Sequence, residues 1–473
     1  MAYTAFITRL KNVRPHPNAD RLQLGECFGN TVVVSLEYED NQLGIYFPSD
    51  GQLSVEFAEV NNLLRKKDDA GNNIGGYMDP DKRNVTAIKL RGEKSDGLFL
   101  PLSSLESFGD ITTLKEGDRI DNFNGHEICC KYVPRRNVRQ GHASNGNRTR
   151  KKKVNVAPLF NEHADTEQLA YNLAAFKPGD EIEITLKMHG TSQRTAYLPV
   201  FKGYKRTLWD KIRHKEGTPI YDWGYVSGTR RTVLENYEGG YYGSNEFREQ
   251  HSKFFEGKLW KGEEIFYEVV GFTHTGAPIM ASCDNKKLND KEFIKQYGKE
   301  TTFSYGCVPD FVEVETTHIG PDESYTSMRI AGQSDIYVYR MTMTNEDGEV
   351  VEYTPDFMRY RCEQMGVKTV PVFARGYIDG EGICILQNDN YPCAYVHETD
   401  CVGDTVKNIA EKYYDGPDPI GKTHVREGVV VRILNRPKFC AYKHKNWSFK
   451  CLEGIVKVEA EAPDMEEAEE VTE

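Results

Sequence analysis

The stretch Glu181-Ile182-Glu183-Ile184-Thr185-Leu186-Lys187-Met188-His189-Gly190-Thr191-Ser192 decides how this chain is read. Ile182, Ile184 and Leu186 alternate with Glu183, Thr185 and Lys187, the period-2 pattern of a strand with one face in a core and the other lining something polar. Lys187 ends that strand. His189-Gly190-Thr191-Ser192 reads as a tight turn, since Gly tolerates backbone angles that other residues avoid and Thr/Ser hydroxyls bond nearby amides. A lysine at a strand end before such a turn is placed to project into a pocket.

The 473 residues suffice for two to three domains, each burying its own core. No run of about 18 apolar residues occurs, and Met1-Ala2-Tyr3-Thr4 does not begin a basic-then-apolar leader, so a membrane span and secretion are both disfavoured. The 11 cysteines, without a Cys-x-x-Cys pair, read as reduced core thiols of a cytoplasmic protein, or of a host cytoplasm if the chain is viral. The net charge of −12 is unevenly spread. Eight acidic and no basic residues lie between Glu459 and Glu473, which points to a disordered acidic tail over 458–473. Between Lys131 and Asn155 there are nine basic residues and no acidic one. That run, with Arg148, Arg150, Lys151, Lys152 and Lys153 at its end, reads as a linker over 131–155 and a candidate contact for nucleic-acid phosphates.

Lys187-Met188-His189-Gly190-Thr191 resembles motif I of the covalent nucleotidyltransferases, the superfamily of DNA ligases, RNA ligases and mRNA capping enzymes, whose pattern is Lys-x-Asp-Gly. His189 at the aspartate position is similar to the nick-sealing RNA ligase branch. Residues 1–130 read as short strands separated by Gly and polar turns, as in a small barrel. Within them His16-Pro17-Asn18-Ala19-Asp20-Arg21-Leu22 and Leu90-Arg91-Gly92 followed by Ser95-Asp96-Gly97-Leu98 resemble the signature stretches of tRNA-binding OB modules. An OB-like domain ahead of the ligase domain is the order of the Deinococcus-type RNA ligases. The resemblance implies an α+β protein, with an N-terminal OB-like β-barrel followed over 156–457 by a nucleotidyltransferase (adenylation) domain of antiparallel sheets with flanking helices. Asp165 to Leu173 is expected to form a helix capped by Asp165 or Thr166.

Five later stretches follow in the family's order. Tyr225 to Thr232 ends in Arg230-Arg231 and resembles motif Ia, with Arg231 the better match for a nucleotide contact and Arg194 a second candidate. Glu268 lies inside the apolar strand 264–271, a costly place for an acid unless it lines a polar site, and resembles the motif III carboxylate that faces the ribose and metal waters. Tyr337 and Tyr339 lie on the next aromatic strand, with Tyr339 preferred as the ring that stacks on the base. Arg426-Glu427-Gly428 opens a β-branched strand as in motif IV, which implies that Glu427 holds a divalent ion directly or through water. Lys443-His444-Lys445 is similar to the Lys-x-Lys of motif V, and alternation puts both ammonium groups on one face. The segments 281–334 and 341–423 carry no assignable motif.

The resemblance implies ATP and Mg²⁺ (or Mn²⁺) as cofactors, with Lys187, Lys443 and Lys445 catalytic and His189, Gly190, Arg231, Glu268, Tyr339 and Glu427 binding the nucleotide. The implied reaction is Lys187-AMP formation, AMP transfer to an RNA 5′-phosphate, and sealing by a 3′-hydroxyl. The expected partner is a pair of RNA ends in a nicked duplex, engaged by a monomer. Only 28 residues follow Lys445, which disfavours DNA ligases and capping enzymes carrying an OB domain after motif V. The alternatives are a nucleic-acid-binding protein with an inactive ligase-like domain, or a capping-type guanylyltransferase.

Overall fold

The computed structural model describes residues 3–67, 73–132, 154–163, 166–207, 217–230, 246–273, 334–379, 382–386, 402–420 and 425–452, with a few short pieces between them. It is a mixed α+β protein, mostly antiparallel sheet, that divides into two compact units, Met1–Ser144 with Lys450–Glu473 and Asn145–Phe449. The basic run Arg148 to Lys153 lies outside the described residues, as does Arg231.

The first unit is built from small sheets, and no closed barrel is found among the described residues. A four-stranded sheet places Leu98–Pro101, Leu43–Phe47, Ala5–Arg9 and Arg119–Ile120 side by side. Ile7, Ile45, Phe47, Leu53, Phe57, Leu105 and Ile128 form its core. The two stretches that resemble OB signatures meet here. His16 is buried, its Nε2 lies 3.3 Å from Leu90 O, and Asn18 donates to Arg91 O at 2.8 Å. Near the end of the chain, Val456–Lys457 pairs in parallel with Ala87–Leu90, and Lys450 Nζ reaches Asp96 Oδ2 at 2.5 Å.

The second unit contains two larger sheets. The seven-stranded one runs in the order Glu167–Gln168, Cys440–Lys445, Gly428–Ile433, Glu181–Leu186, Val372–Ile378, Gly382–Leu386, Ala394–His397. Ile182 and Ile184 are buried against Val429, Val431, Val406 and Ile409, the last two from the helix Val402–Glu411. Each such side chain contributes roughly 1.5–3 kcal/mol by leaving water. The other face of the same strand carries Glu183, Thr185 and then Lys187 into a cleft, as the alternation predicts.

The second sheet orders Thr218–Gly228, Thr191–Lys205, Glu263–Gly271, Ser334–Thr344 and Val350–Glu352, with Lys368–Thr369 also on the 334–344 strand. The helices Glu246–Phe254 and Pro355–Met365 pack on it. Pro355–Met365 starts at Thr354, whose hydroxyl accepts from Phe357 N–H, and stops at Gly366 in the left-handed region, the ordinary start and stop signals.

Two expectations are corrected, and one unassigned segment gains a role. The helix expected over Asp165 to Leu173 is instead a short strand, Glu167–Gln168, followed by 3₁₀ turns at Leu169–Tyr171 and Leu173–Ala175. Pairing with Tyr442 and Lys443 extends the backbone there, and Leu169 is buried in the core, so tertiary contacts override local propensity. The unassigned segment 341–423 proves to be architectural, supplying three strands of the seven-stranded sheet and two helices. Not every thiol is reduced. Cys384 is disulfide-bonded, while Cys27, Cys129, Cys130, Cys362 and Cys440 are free, because pairing depends on folded proximity rather than on spacing along the chain.

Gly428 opens the strand Gly428–Ile433, next to the central one, with φ +148°, and an added Cβ would lie 2.1 Å from His444 O, which is backbone and cannot swing away. Gly428→Ala is expected to lower stability by about 2 kcal/mol or more in urea unfolding. A decrease below about 0.5 kcal/mol would show that the two strands separate easily there.

Candidate active site

The cleft lies between the two sheets of the second unit. Its walls include Glu183, Thr185, Lys187 and Met188 from the central strand and its end, Val430 and Arg432 from the neighbouring strand, and Glu268, Tyr339 and Arg230 opposite. Lys187 N–H donates to Gly428 O at 3.0 Å, which ties the lysine to the start of the 428–433 strand. The turn after it is held closely. An added Cβ on Gly190 would meet Val269 O at 2.5 Å and Glu268 Cγ at 2.8 Å, so only glycine lets this turn pass over the Glu268 strand.

At the lysine end a single carboxylate collects the cations. Lys187 Nζ and Lys445 Nζ both reach Glu427 Oε1, the latter at 3.2 Å, and His189 Nδ1 lies 3.5 Å from Oε2. Glu427 is only 3% exposed. Burial alone would raise its carboxyl, but Lys187, Lys445 and then His189 outweigh burial and hold it well below the usual carboxylate range. The His189 ring packs edge-on against Phe449 at 4.6 Å. Lys443 stands on the strand between Ala441, which lines the cleft, and Lys445, which reaches Glu427.

Across the cleft, burial pushes Glu268 up to about 7, partly countered by Lys187 and reinforced by Glu427. Tyr339 sits beside it for a reason the sequence does not display. Phe266 pairs with Arg340 but Tyr267 with Val338, so Tyr339 is the extra residue of a bulge. A bulge re-aims a side chain, and Tyr339 lines the cleft while Tyr337 is buried among Leu186, Met188, Val270 and Val370. Ser192 Oγ lies 3.1 Å from Tyr339 OH.

Other placements could not be read locally. Arg194 belongs to the scaffold: it pairs with Glu264 at 2.8 Å, lies over the Phe160 ring and does not line the cleft. Burial lifts Glu264 to about 7 despite that arginine. Arg230 lines the cleft next to His163, whose N–H donates to Arg230 O. Sequence reading missed Arg248, which donates to Thr191 Oγ1 at 2.6 Å and Ser192 O at 3.1 Å and so braces the turn after Lys187. Nothing in its helix marks it for that task.

No family model matches the chain, and no curated protein does. Among solved structures it is similar to Naegleria gruberi RNA ligase with PPi, at TM-score 0.50 and 15% identity, over 94% of this chain and 97% of that one. A lysine variant of that ligase with ATP and Mn aligns at TM-score 0.51 and 15% identity, over 96% and 99%. An arginine variant with ATP and Mn aligns at 0.51 and 14%, over 95% and 99%. The chain has the fold of an RNA ligase. Within that fold, no described group of three or more His, Cys, Asp or Glu could hold a metal by itself. Glu268 and Glu427 face one another electrostatically across the cleft and offer hard oxygen ligands. That donor set fits a divalent ion of the Mg²⁺ type, which ordinarily takes one or two carboxylates and completes its shell with water and phosphate oxygens.

The raised Glu268 carboxyl has a consequence for stability. Its folded value, about 7, exceeds the ordinary 4.5, so the folded state holds the proton more tightly. Its stabilising contribution is therefore complete below about 4.5 and is lost as pH rises through about 7. Glu268→Gln is expected to lose less Tm than the parent between pH 5 and pH 8. Identical decreases would mean that Glu268 ionises like an exposed carboxyl.

Proposed function

We propose that this protein is an ATP-dependent RNA ligase that joins 3′-hydroxyl and 5′-phosphate RNA ends, of the nick-sealing Deinococcus type. The observation that carries the reading is Lys187 at the end of a cleft-lining strand, sharing the buried Glu427 carboxylate with Lys445 inside an RNA ligase fold. The neighbouring RNA ligase has been solved with ATP and Mn, and with PPi, ligands that match the first step of such a reaction.

The roles follow from position. Lys187 Nζ attacks the α-phosphorus of ATP, a P–N bond forms, and the bond to pyrophosphate breaks. Glu427 accepts a hydrogen bond from the Lys187 ammonium and so orients it, and the amine must shed a proton to solvent before its nitrogen attacks. Tyr339 offers a ring to the base, Glu268 faces the ribose, and Arg230 adds a cation on the same wall. Lys445, with Lys443 beside it on the strand, offsets phosphate charge that would otherwise resist the attack. Glu268 and Glu427 would hold Mg²⁺ or Mn²⁺, which supplies charge neutralisation at the phosphates. AMP then passes to an RNA 5′-phosphate, and a 3′-hydroxyl displaces it to leave a phosphodiester.

The first unit, with its joined His16/Asn18 and Leu90/Arg91 stretches, is assigned as an OB-like module that grips nucleic acid. The basic run Arg148 to Lys153 is assigned to phosphate contact. The protein acts as a cytoplasmic monomer on a nicked duplex.

The nucleophile is tested with α-labelled ATP or GTP, a divalent ion and a denaturing gel. Wild type is expected to take label from ATP alone, and Lys187→Ala to take none while still sealing pre-adenylylated RNA. Label retained on Lys187→Ala would remove the lysine from this role, and label from GTP would favour a guanylyltransferase.

The connector is tested by replacing Arg148, Arg150, Lys151, Lys152 and Lys153 with Ala. Adduct formation is expected to persist while nick sealing weakens. The salt slope of duplex binding should flatten by roughly 0.9 log units for each phosphate that is no longer neutralised. Unchanged sealing at matched salt would make the run a spacer.

A further inference from the structure

The strand Thr191–Lys205 begins at the cleft and pairs along its whole length with Thr218–Gly228. Its other edge is covered by the 263–271 strand only as far as Ala196, opposite Glu264. Beyond that point the two strands continue as a ribbon. Its inner face packs Ala196, Leu198, Val200 and Val226 on Ala157 and Phe160. The outer face is aromatic, with Tyr197 stacked on Tyr225 at 4.6 Å and in contact with Trp223, and Phe201 against Tyr204 and Tyr221.

Cross-strand aromatic pairs stabilise a two-stranded ribbon, and that accounts for the inner rings. It does not account for the far end. Lys202, Lys205 and Arg206 are exposed there, Trp209 is 68% exposed with Arg213 over its ring at 5.8 Å, and Ile220 is 43% exposed. Lys202 is the extra residue of a bulge between Phe201 and Gly203. Residues 200–222 hold six basic and three acidic side chains in a chain whose net charge is −12. One exposed ring, Trp209, among cations matches the two things a nucleic-acid strand offers, base faces and phosphates.

Resting on the ligase reading above, we infer that the end of this ribbon, with Lys202, Lys205, Arg206 and Trp209, binds a single-stranded extension of the RNA that runs beyond the nicked duplex. Eleven residues separate Thr191 from Lys202, a reach of at most ~36 Å at about 3.3 Å per residue. At the roughly 3.4 Å per step of a duplex strand that reach spans at most about ten nucleotides, and fewer of an extended single strand. The ribbon end therefore holds RNA and takes no part in the attack on ATP.

The full-length protein with Lys202→Ala, Lys205→Ala and Arg206→Ala combined is compared with wild type by fluorescence anisotropy. The probes are a 25-nucleotide single-stranded RNA, a six-nucleotide RNA and a blunt duplex, each over a salt series. Expected is weaker binding of the long single strand and a salt slope reduced by about 2, from three phosphates no longer neutralised at roughly 0.7 each. The six-nucleotide RNA, which can meet fewer of these cations at once, should lose less affinity, and Lys187-AMP formation should be unchanged. Trp209→Ala, which leaves the charges alone, should weaken long-strand binding by about fivefold or more at unchanged slope. Wild-type affinity and slope in the triple variant overturn the inference, as does weakening confined to the duplex. Should the triple variant be misfolded, Trp209→Ala decides, and wild-type affinity there counts against the site. A wild-type chain that forms no adduct, with variants that still show this weakened binding, would fail as a ligase while keeping the RNA site.

Discussion

One buried carboxylate organises the cleft. Glu427 is removed from water, which by itself favours the neutral acid, and it stays anionic because Lys187, Lys445 and His189 converge on it. The dependence runs both ways, since two partly buried ammonium groups need that anion as much as it needs them. Breaking a buried charge cluster by removing one partner is costly because the remaining charge stays buried and uncompensated. The surrounding backbone is correspondingly constrained, with Gly428 threading past His444 O and Asn446 N–H donating to Glu427 O at 2.9 Å.

The cleft's second wall is set by different means. Glu268 is held by the 263–271 strand in a desolvated position, so its charge responds to pH near neutrality, whereas Glu427 is locked as an anion. Two carboxyl groups in one cleft are thus driven apart in acidity by their neighbours, a division that lets one position cations while the other stays responsive to what enters. The bulge that turns Tyr339 inward and the Arg248 brace on Thr191 and Ser192 bring the remaining wall into line. Each device is a packing feature, and none involves a residue type unusual in a sheet protein.

The strand that leads from this cleft into the aromatic ribbon joins two scales of the same unit. At one end its residues are tied to Arg248 and Tyr339, and at the other they are exposed cations and rings. A single stiff element can therefore relate the reacting end of a polymer to a part of it many nucleotides away.

What the sequence by itself determined is whatever local periodicity controls. The alternation from Ile182 to Lys187 set the strand and turned Glu183, Thr185 and Lys187 toward the cleft, and the stretch holding Lys443 and Lys445 is a strand as its pattern implied. The order of the motifs also pointed to the fold that the solved RNA ligases share. Only the tertiary structure decided the rest. Lys187 meets Glu427 across 240 residues, Arg194 is consumed by Glu264 rather than facing the cleft, and Tyr339 enters through a bulge defined by its partner strand. The expected helix at Asp165 to Leu173 gave way to a strand because a pairing edge at Tyr442 and Lys443 was waiting for it. Periodicity constrains which face a side chain takes, but convergence of charges depends on register between strands far apart in the chain, and register is a property of the assembled sheet.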